Sequence, residues 1–422
     1  MADIDDIRNE ISKIDDKFSK LFESRISLLD KVIDYKTINQ LPIFNPAVEK
    51  EKISRSLKSI NNPEVKFYYE KFLLSTMNIS KMYQSNKASS LEIFLDDSHY
   101  EIILEKGAID NITKYLDLDR KVLIISDDLI PQKYINTVKN QINDCHIFII
   151  PHGENNKSLE NYSKIMSYLI ENNFSRNDAI IALGGGVVGD LAGFVSSTYK
   201  RGIDFYNIPT SLLAMVDSSI GGKTAINFDG YKNMVGSFYQ PKKVIIDPNT
   251  LLTLNKRELY SGLVEAIKMG ATNDKELFEL IENSSNLFDD IESIIRKSLL
   301  IKKDVIVKDT YEKNIRKVLN FGHTIGHAIE SISKFSLLHG ECVGIGMLYF
   351  SSKSVRDRIE KVLKKYDLPI SYDVSKELLV ENIIKDKKMN KDSISIIKVN
   401  EIGSFIIEDV NIDEIKNYMK GD

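Results

Sequence analysis

The stretch from Asp178 to Lys200, DAIIALGGGVVGDLAGFVSSTYK, constrains the fold of this chain more than any other. AIIAL has the length and apolar character of a buried strand. It runs directly into Gly184-Gly185-Gly186, where the backbone can turn tightly and stay bare. VVGDLAGFVSSTY then starts a helix. Strand, glycine turn and helix start together form a phosphate cradle, because free N–H groups and the positive helix end face an anion. The spacing GGGxxGD departs from the dinucleotide fingerprint GxGxxG, and a purely structural turn would give the same pattern.

Around this segment the pattern alternates. LEIFL, YEIIL, KVLIIS, HIFIIP, AIIAL and DFYNIP read as strands, with helical stretches between several of them, and KKVIID (242–247) reads as the last. This predicts an α/β nucleotide-binding domain with a largely parallel sheet over residues 89–247. From Thr250 the pattern is mostly helical, apart from ISIIKVN and SFIIED, which suit a small hairpin, so residues 248–422 are expected to form a mostly α-helical domain. Before the sheet, Ile4, Ile7, Ile11, Ile14, Phe18, Leu21, Phe22, Ile26, Leu29, Val32 and Ile33 recur at helical spacing. Pro42 and Pro46 break that helix, Ala47 to Ile60 and Glu64 to about Gln84 follow as two more, and SNKASS (85–90) is the expected linker. Residues 1–88 are therefore read as an all-α module in a multi-domain chain. Its single apolar stripe calls for a partner surface, either a second chain, giving a homodimer, or the rest of the protein.

A length of 422 residues fits two or three folding units, and a net charge of −4 shows no nucleic-acid footprint. Cys145 and Cys342 make no disulfide framework. The N-terminus is too charged for a signal peptide, and apolar runs are too short for a membrane span, so a cytoplasmic enzyme acting on a small molecule is expected.

Three of the six histidines fall within residues 323–339. His323 and His327 are four apart, hence on one helix face; His339 follows a short break, and Glu265 lies in another helical pattern, GLVEAIK. Two histidines and a carboxylate make a catalytic zinc set with one position open. Spacing alone would choose His323 and His327 as the pair, and a hydrogen-bonded core histidine is the alternative for any one of them. Lys223 in SIGGKT and Lys268 in VEAIK have small or apolar neighbours, which suggests that both point inward. Asp127, after KVLIIS, suits an acidic residue on ribose hydroxyls, or a plain strand-end turn.

GGGVVGD, IPTSLLAMVDSSIGGKTAIN, GYKNMVGSFYQP, RELYSGLVEAIK, LNFGHTIGHAIE and LLHGECVGIGM occur in this order, and over residues 90 to about 410 the chain resembles the 3-dehydroquinate synthase family. The resemblance implies that 3-deoxy-arabino-heptulosonate 7-phosphate is converted to 3-dehydroquinate and phosphate. NAD takes up and later returns a hydride, and a divalent metal, zinc or cobalt, polarises the oxygen at the oxidised carbon. By match, Glu265, His323 and His339 hold the metal, leaving His327 to the substrate. Asp217, Lys223, Asn233, Lys268, Lys302, Arg316, Asn320 and His327 match substrate-site positions, and Arg201 lies in a matching block. HGENNK places Glu154 and Lys157 on the cofactor; Gly185, Gly186, Val187, Val188, Asp190, Thr210, Ser211, Lys232, Thr250 and Thr253 also match the cofactor side. His152 departs from the family pattern, and in KDKKMN either Lys387 or Lys388 matches a late basic motif.

IDDIRNEISKIDDKFSKLFESRISLLDKVIDYK, with PAVEKEK and NISKMYQ, resembles the all-helical chorismate mutase family. Arg8, Asp15, Leu21, Arg25 and Lys36 match its first helix, Glu49 its second, and Ser80 and Gln84 its third. This implies a site for chorismate or prephenate, in a weak mutase, a feedback sensor or a dimerisation element. Val48 stands where that family has an arginine, and Asn45 where an aspartate is common, so one cation of a dicarboxylate site is missing. For the larger part, the rivals are a polyol or glycerol dehydrogenase using NAD and a metal, a cyclase for another sugar phosphate, and a nucleotide-binding regulatory protein.

Overall fold

Asn and Pro open the second and third helices of the first unit. The computed structural model describes residues 3–39, 41–88, 90–95, 98–334, 336–387 and 393–418, and divides into residues 1–99 and 100–422. Lys388 of the late basic motif lies outside the described residues, as does the side chain of Lys387. In the first unit, α1 (Ile4–Ile38), α2 (Pro46–Leu57) and α3 (Pro63–Lys87) precede a short strand, β1 (Glu92–Phe94). Asn45 and Asn62 accept the first free N–H groups of α2 and α3, and Pro46 and Pro63 occupy first-turn positions. Asn45 is thus spent on a helix cap. The third helix runs to Lys87, past the expected end, because Ser85 folds back onto the carbonyl of Glu92 at 2.5 Å and keeps the last turn in place. None of the 35 residues of α1 is buried; Ile4, Ile7, Ile11, Ile14, Phe18 and Leu21 stand exposed along it.

The second unit is built on parallel strands. β2 (His99–Leu104), β3 (Lys121–Asp127), β4 (Asp144–Ile150), β5 (Ala179–Gly184), β6 (Asp204–Pro209) and β9 (Lys243–Ile246) lie in the order β2-β9-β6-β5-β3-β4, every pairing parallel. Alternation along the strands divides the core. Val122, Ile124, Ala179 and Ile181 pack on one face with α4 (Gln132–Lys139); Leu123, Ile125, Ile180 and Ala182 pack on the other, beneath α5 (Leu159–Glu171) and α6 (Gly186–Thr198). The chain leaves β3 toward β4 but returns to β5 on its other side. Asp127 and Gly184 therefore end adjacent strands at the switch point where ligands of such sheets bind.

The sequence pattern missed an antiparallel hairpin, β7 (Lys223–Phe228) and β8 (Tyr231–Phe238). Its turn is Asp229-Gly230, with φ of 50° and 78°, the positive pair that an Asp-Gly hairpin turn needs. After the sheet come α7 (Lys256–Asn273), α8 (Lys275–Asn283), α9 (Leu287–Lys308), α10 (His323–Ile332), α11 (His339–Tyr349), α12 (Lys353–Lys365) and α13 (Lys376–Lys387). The expected small hairpin forms as β10 (Ser393–Lys398) and β11 (Ile406–Asn411), followed by α14 (Ile412–Tyr418). Among the described residues no helix is long and apolar enough to cross a membrane.

Candidate active site

Gly185 caps α6 and, having no side chain, makes no cap hydrogen bond to the free N–H groups of its first turn. A Cβ on Gly184 would lie 2.7 Å from Val188, and one on Gly186 would lie 3.1 Å from Ser218 Oγ. The bare turn, with Asp127 at the neighbouring strand end, fits the phosphates and ribose of a dinucleotide. Here Val188 supports from below as a core residue, while Asp127 also caps its own turn by accepting from Leu129 N at 2.9 Å.

Beside this cradle the Lys157 ammonium is buried against three groups. It lies 3.0 Å from Asp190 and 3.2 Å from Glu154, and donates to Asn233 Oδ1 at 2.5 Å. Thr210 is buried near the cradle, whereas Thr250 and Thr253 spend their hydroxyls on the carbonyls of Asp247 and Thr250. Ser211 receives Ala214 N. His152 has an exposed partner of its own, Asp128, at 2.8 Å.

The histidines meet over α7. Nε2 of His323 and of His339 lie 3.8 and 3.6 Å from Glu265 Oε1, an atom that is buried and accepts no hydrogen bond. The ligand atoms of His323, His327 and His339 also lie within 4.8 Å of one another. His327 is exposed, while Glu265 is buried at the convergence of the other two histidines. Burial lowers His323 well below its usual value, with Lys268 adding to the effect, so it holds the neutral form a metal requires. Burial alone would raise Glu265, but the Lys268 ammonium and His339 hold it down at about 2. A buried anionic oxygen between two imidazoles fits a divalent cation with a position left open.

Glu330, on α10, was not singled out from the sequence. It receives Lys232 Nζ at 2.8 Å through one oxygen and lies 3.4 Å from His339 Nδ1 through the other. That is the arrangement in which a carboxylate fixes the tautomer and orientation of a ligating histidine. The helical spacing from His323 and His327 was its available signal.

The cations divide by burial. Lys268 is buried as expected, touching Glu265 and donating to Leu319 O at 2.5 Å. Lys302 is buried on Asp217, 2.5 Å from its carbonyl and 2.7 Å from its carboxylate. Burial pushes the Lys302 ammonium down to about 8 although Asp217 opposes the change. Arg316 is buried too: its guanidinium meets the carbonyls of Thr310 and of Gly221, the latter at 3.3 Å, and Nε has no partner. Gly221 has φ of 95°, and a Cβ there would come 2.5 Å from Nη2, so the bare backbone admits the arginine. Lys223 does not point inward. Its side chain is 53% exposed and paired with Glu312, because it begins a hairpin whose outer face is open. Glu312, which nothing in KDTYEKN announced, also receives Asn320 Nδ2 at 2.6 Å. Arg201 lies exposed in a turn, outside the contacts that join these groups.

In the first unit, Arg25 donates to Ser80, and Lys36 donates to Ile43 O at 2.7 Å and Gln84 Oε1 at 3.3 Å. Glu49 is 3.2 Å from Lys81. Arg8 is exposed and paired with Asp5 at 3.1 Å, apart from those groups.

Family models described as "3-dehydroquinate synthase N-terminal" and "3-dehydroquinate synthase C-terminal" match residues 147–261 and 262–389, and one described as "Chorismate mutase type II" matches residues 7–85. The chain is 42% identical over 353 residues to 3-dehydroquinate synthase of Lactococcus lactis subsp. cremoris (strain MG1363), covering 78% of this chain and 99% of that one. It is 41% identical over 352 residues to the enzyme of the same name from Streptococcus thermophilus (strain CNRZ 1066), with the same coverage. Among solved structures it is similar to a 2-deoxy-scyllo-inosose synthase complexed with carbaglucose-6-phosphate, NAD+ and Co2+, at 25% identity and a TM-score of 0.71, covering 77% of this chain and 98% of that one.

Proposed function

We propose that this chain, which belongs to the 3-dehydroquinate synthase family, converts 3-deoxy-arabino-heptulosonate 7-phosphate to 3-dehydroquinate and phosphate. The observation that carries the reading is the convergence of Glu265, His323 and His339 in the unit that also buries Lys302 and Arg316 and bears an open glycine cradle. When bound, NAD takes up and returns a hydride, and zinc or cobalt acts as a Lewis acid on the substrate oxygen. Lys302 and Arg316 bind the anionic groups and hold the substrate in one pose, supported by Asp217, Lys223, Asn233 and Asn320. His327, exposed beside the metal ligands, and Lys268 handle protons. Glu154, Lys157, Asp190, Thr210 and Ser211 serve the cofactor side, while Lys232, expected there too, holds Glu330 against His339. The first unit binds chorismate or prephenate as a weak mutase or feedback sensor, and the uncovered stripe of α1 makes a homodimer.

The test is phosphate release by the full chain from the heptulosonate phosphate with NAD and zinc. Release without net NADH is expected. Net NADH accumulation would instead favour the dehydrogenase reading. Turnover only with a different sugar phosphate would favour another cyclase, a reading supported by the 25% identity to the inosose synthase.

Lys302 makes the reaction depend on pH. Its ammonium is charged below about 8 in the folded protein and neutral above. An unfolded lysine keeps its proton to about 10.4. Between these values the unfolded state binds more protons, so this group's contribution to stability improves as pH rises. Anion binding changes in the opposite sense. KM for the phosphate substrate is expected to rise between pH 7 and 9, by up to roughly tenfold per pH unit above the inflection. Lys302→Met should remove that inflection; an unchanged profile in the variant would assign it to another group.

A further inference from the structure

The second helix of the first unit carries a cation that the family pattern does not supply. Along α2, Glu49, Lys52, Ile53, Ser56 and Leu57 are partly buried, while Val48 is 58% exposed. Partial burial at three- and four-residue spacing marks the inward face of α2, which packs on α3. Lys52 therefore shares the inward stripe of Glu49, one turn beyond Val48. Glu49 of that stripe pairs with Lys81 of α3 at 3.2 Å, one residue beyond Ser80, the hydroxyl that receives Arg25 of α1. The charges there do not cancel. The Glu49 carboxylate is already paired with Lys81. Arg25 has a hydroxyl as its partner, and Lys36 has a carbonyl and an amide oxygen. Burial disfavours the charged form of Lys52, and the Arg25 and Arg55 guanidinium groups act in the same direction, while Glu49 opposes them. Two half-buried cations held on neutral acceptors, Arg25 and Lys36, with a partly buried third, Lys52, suit a dianion.

We propose that Lys52 supplies the second-helix cation that Val48 lacks, so that Arg25, Lys36 and Lys52 together receive the carboxylates of chorismate or prephenate. This rests on the dicarboxylate reading of the first unit given above. It replaces the expectation that the site is simply one cation short.

The test is calorimetric titration of the full chain with prephenate. Lys52→Met keeps most of the side-chain length and removes the charge; affinity is expected to fall at least about tenfold, the loss of a charged hydrogen bond. Lys52→Arg should bind nearly as the parent does. Val48→Arg combined with Lys52→Met should recover most of the loss, which a merely structural role of Lys52 would not allow. Arg25→Ala separates the two ideas. Normal binding by Lys52→Met with weak binding by Arg25→Ala overturns the role of Lys52 and leaves the dicarboxylate site standing. No binding by the parent chain overturns both.

Discussion

Protein stripped of divalent cations by a chelator is expected to lose turnover by about a thousandfold or more, and to regain it with zinc or cobalt. A Lewis acid contributes several kcal/mol to stabilising charge at an oxygen. Glu265 Oε1 lies 3.8 Å from His323 Nε2 and 3.6 Å from His339 Nε2, and all three groups hold their metal-accepting geometry on helices rather than on loops. Glu265→Gln separates metal from chemistry: the amide keeps the volume and removes the charge, so zinc affinity by chelator competition should fall sharply. Full turnover in the stripped protein would remove the metal from the mechanism.

Replacing Arg316 is expected to have the next largest effect. Arg316→Ala should lower kcat/KM by at least roughly a hundredfold, about 2.7 kcal/mol, with NAD affinity nearly unchanged. The buried guanidinium is held at its far end by two backbone carbonyls, which fixes its direction before any substrate arrives. Fixed charge costs no reorganisation during the reaction and is worth more than mobile charge. Arg316→Lys should recover little, because one ammonium cannot satisfy both carbonyls and an anion. Lys223→Ala should cost less than Arg316→Ala, since Lys223 is half exposed and has Glu312 as a partner. A near-normal rate in Arg316→Ala would return that arginine to a structural role.

Much of this was legible in the sequence because it is local. AIIAL followed by three glycines specifies a strand, a bare turn and a helix start within a few residues, and they lie where expected. The spacing of His323 and His327 placed both on one helix, but helical spacing cannot say which carboxylate fifty or more residues away an imidazole will meet; the packing of α7 brings Glu265 Oε1 within 3.8 Å of His323 Nε2. The burial of Lys268 followed from its apolar neighbours. The same reasoning failed for Lys223, because its small neighbours mark a hairpin edge and not a core. Glu312 and Glu330 were illegible for a different reason: each is one more acidic residue in an ordinary setting, and only the fold brings a lysine or histidine to it. The Asp229-Gly230 turn was readable and was overlooked.

Lys157 has a consequence for the order of events. One buried ammonium, 3.2 Å from Glu154 and 3.0 Å from Asp190, also holds Asn233 at 2.5 Å, so a single charge serves residues assigned to the cofactor and a residue assigned to the substrate. On that assignment neither ligand would meet an independent receptor: whichever bound first would reshape the hydrogen bonds left for the other. Cooperativity of this kind is reciprocal, and the factor by which the nucleotide changes affinity for the sugar phosphate is also the factor by which the sugar phosphate changes affinity for the nucleotide.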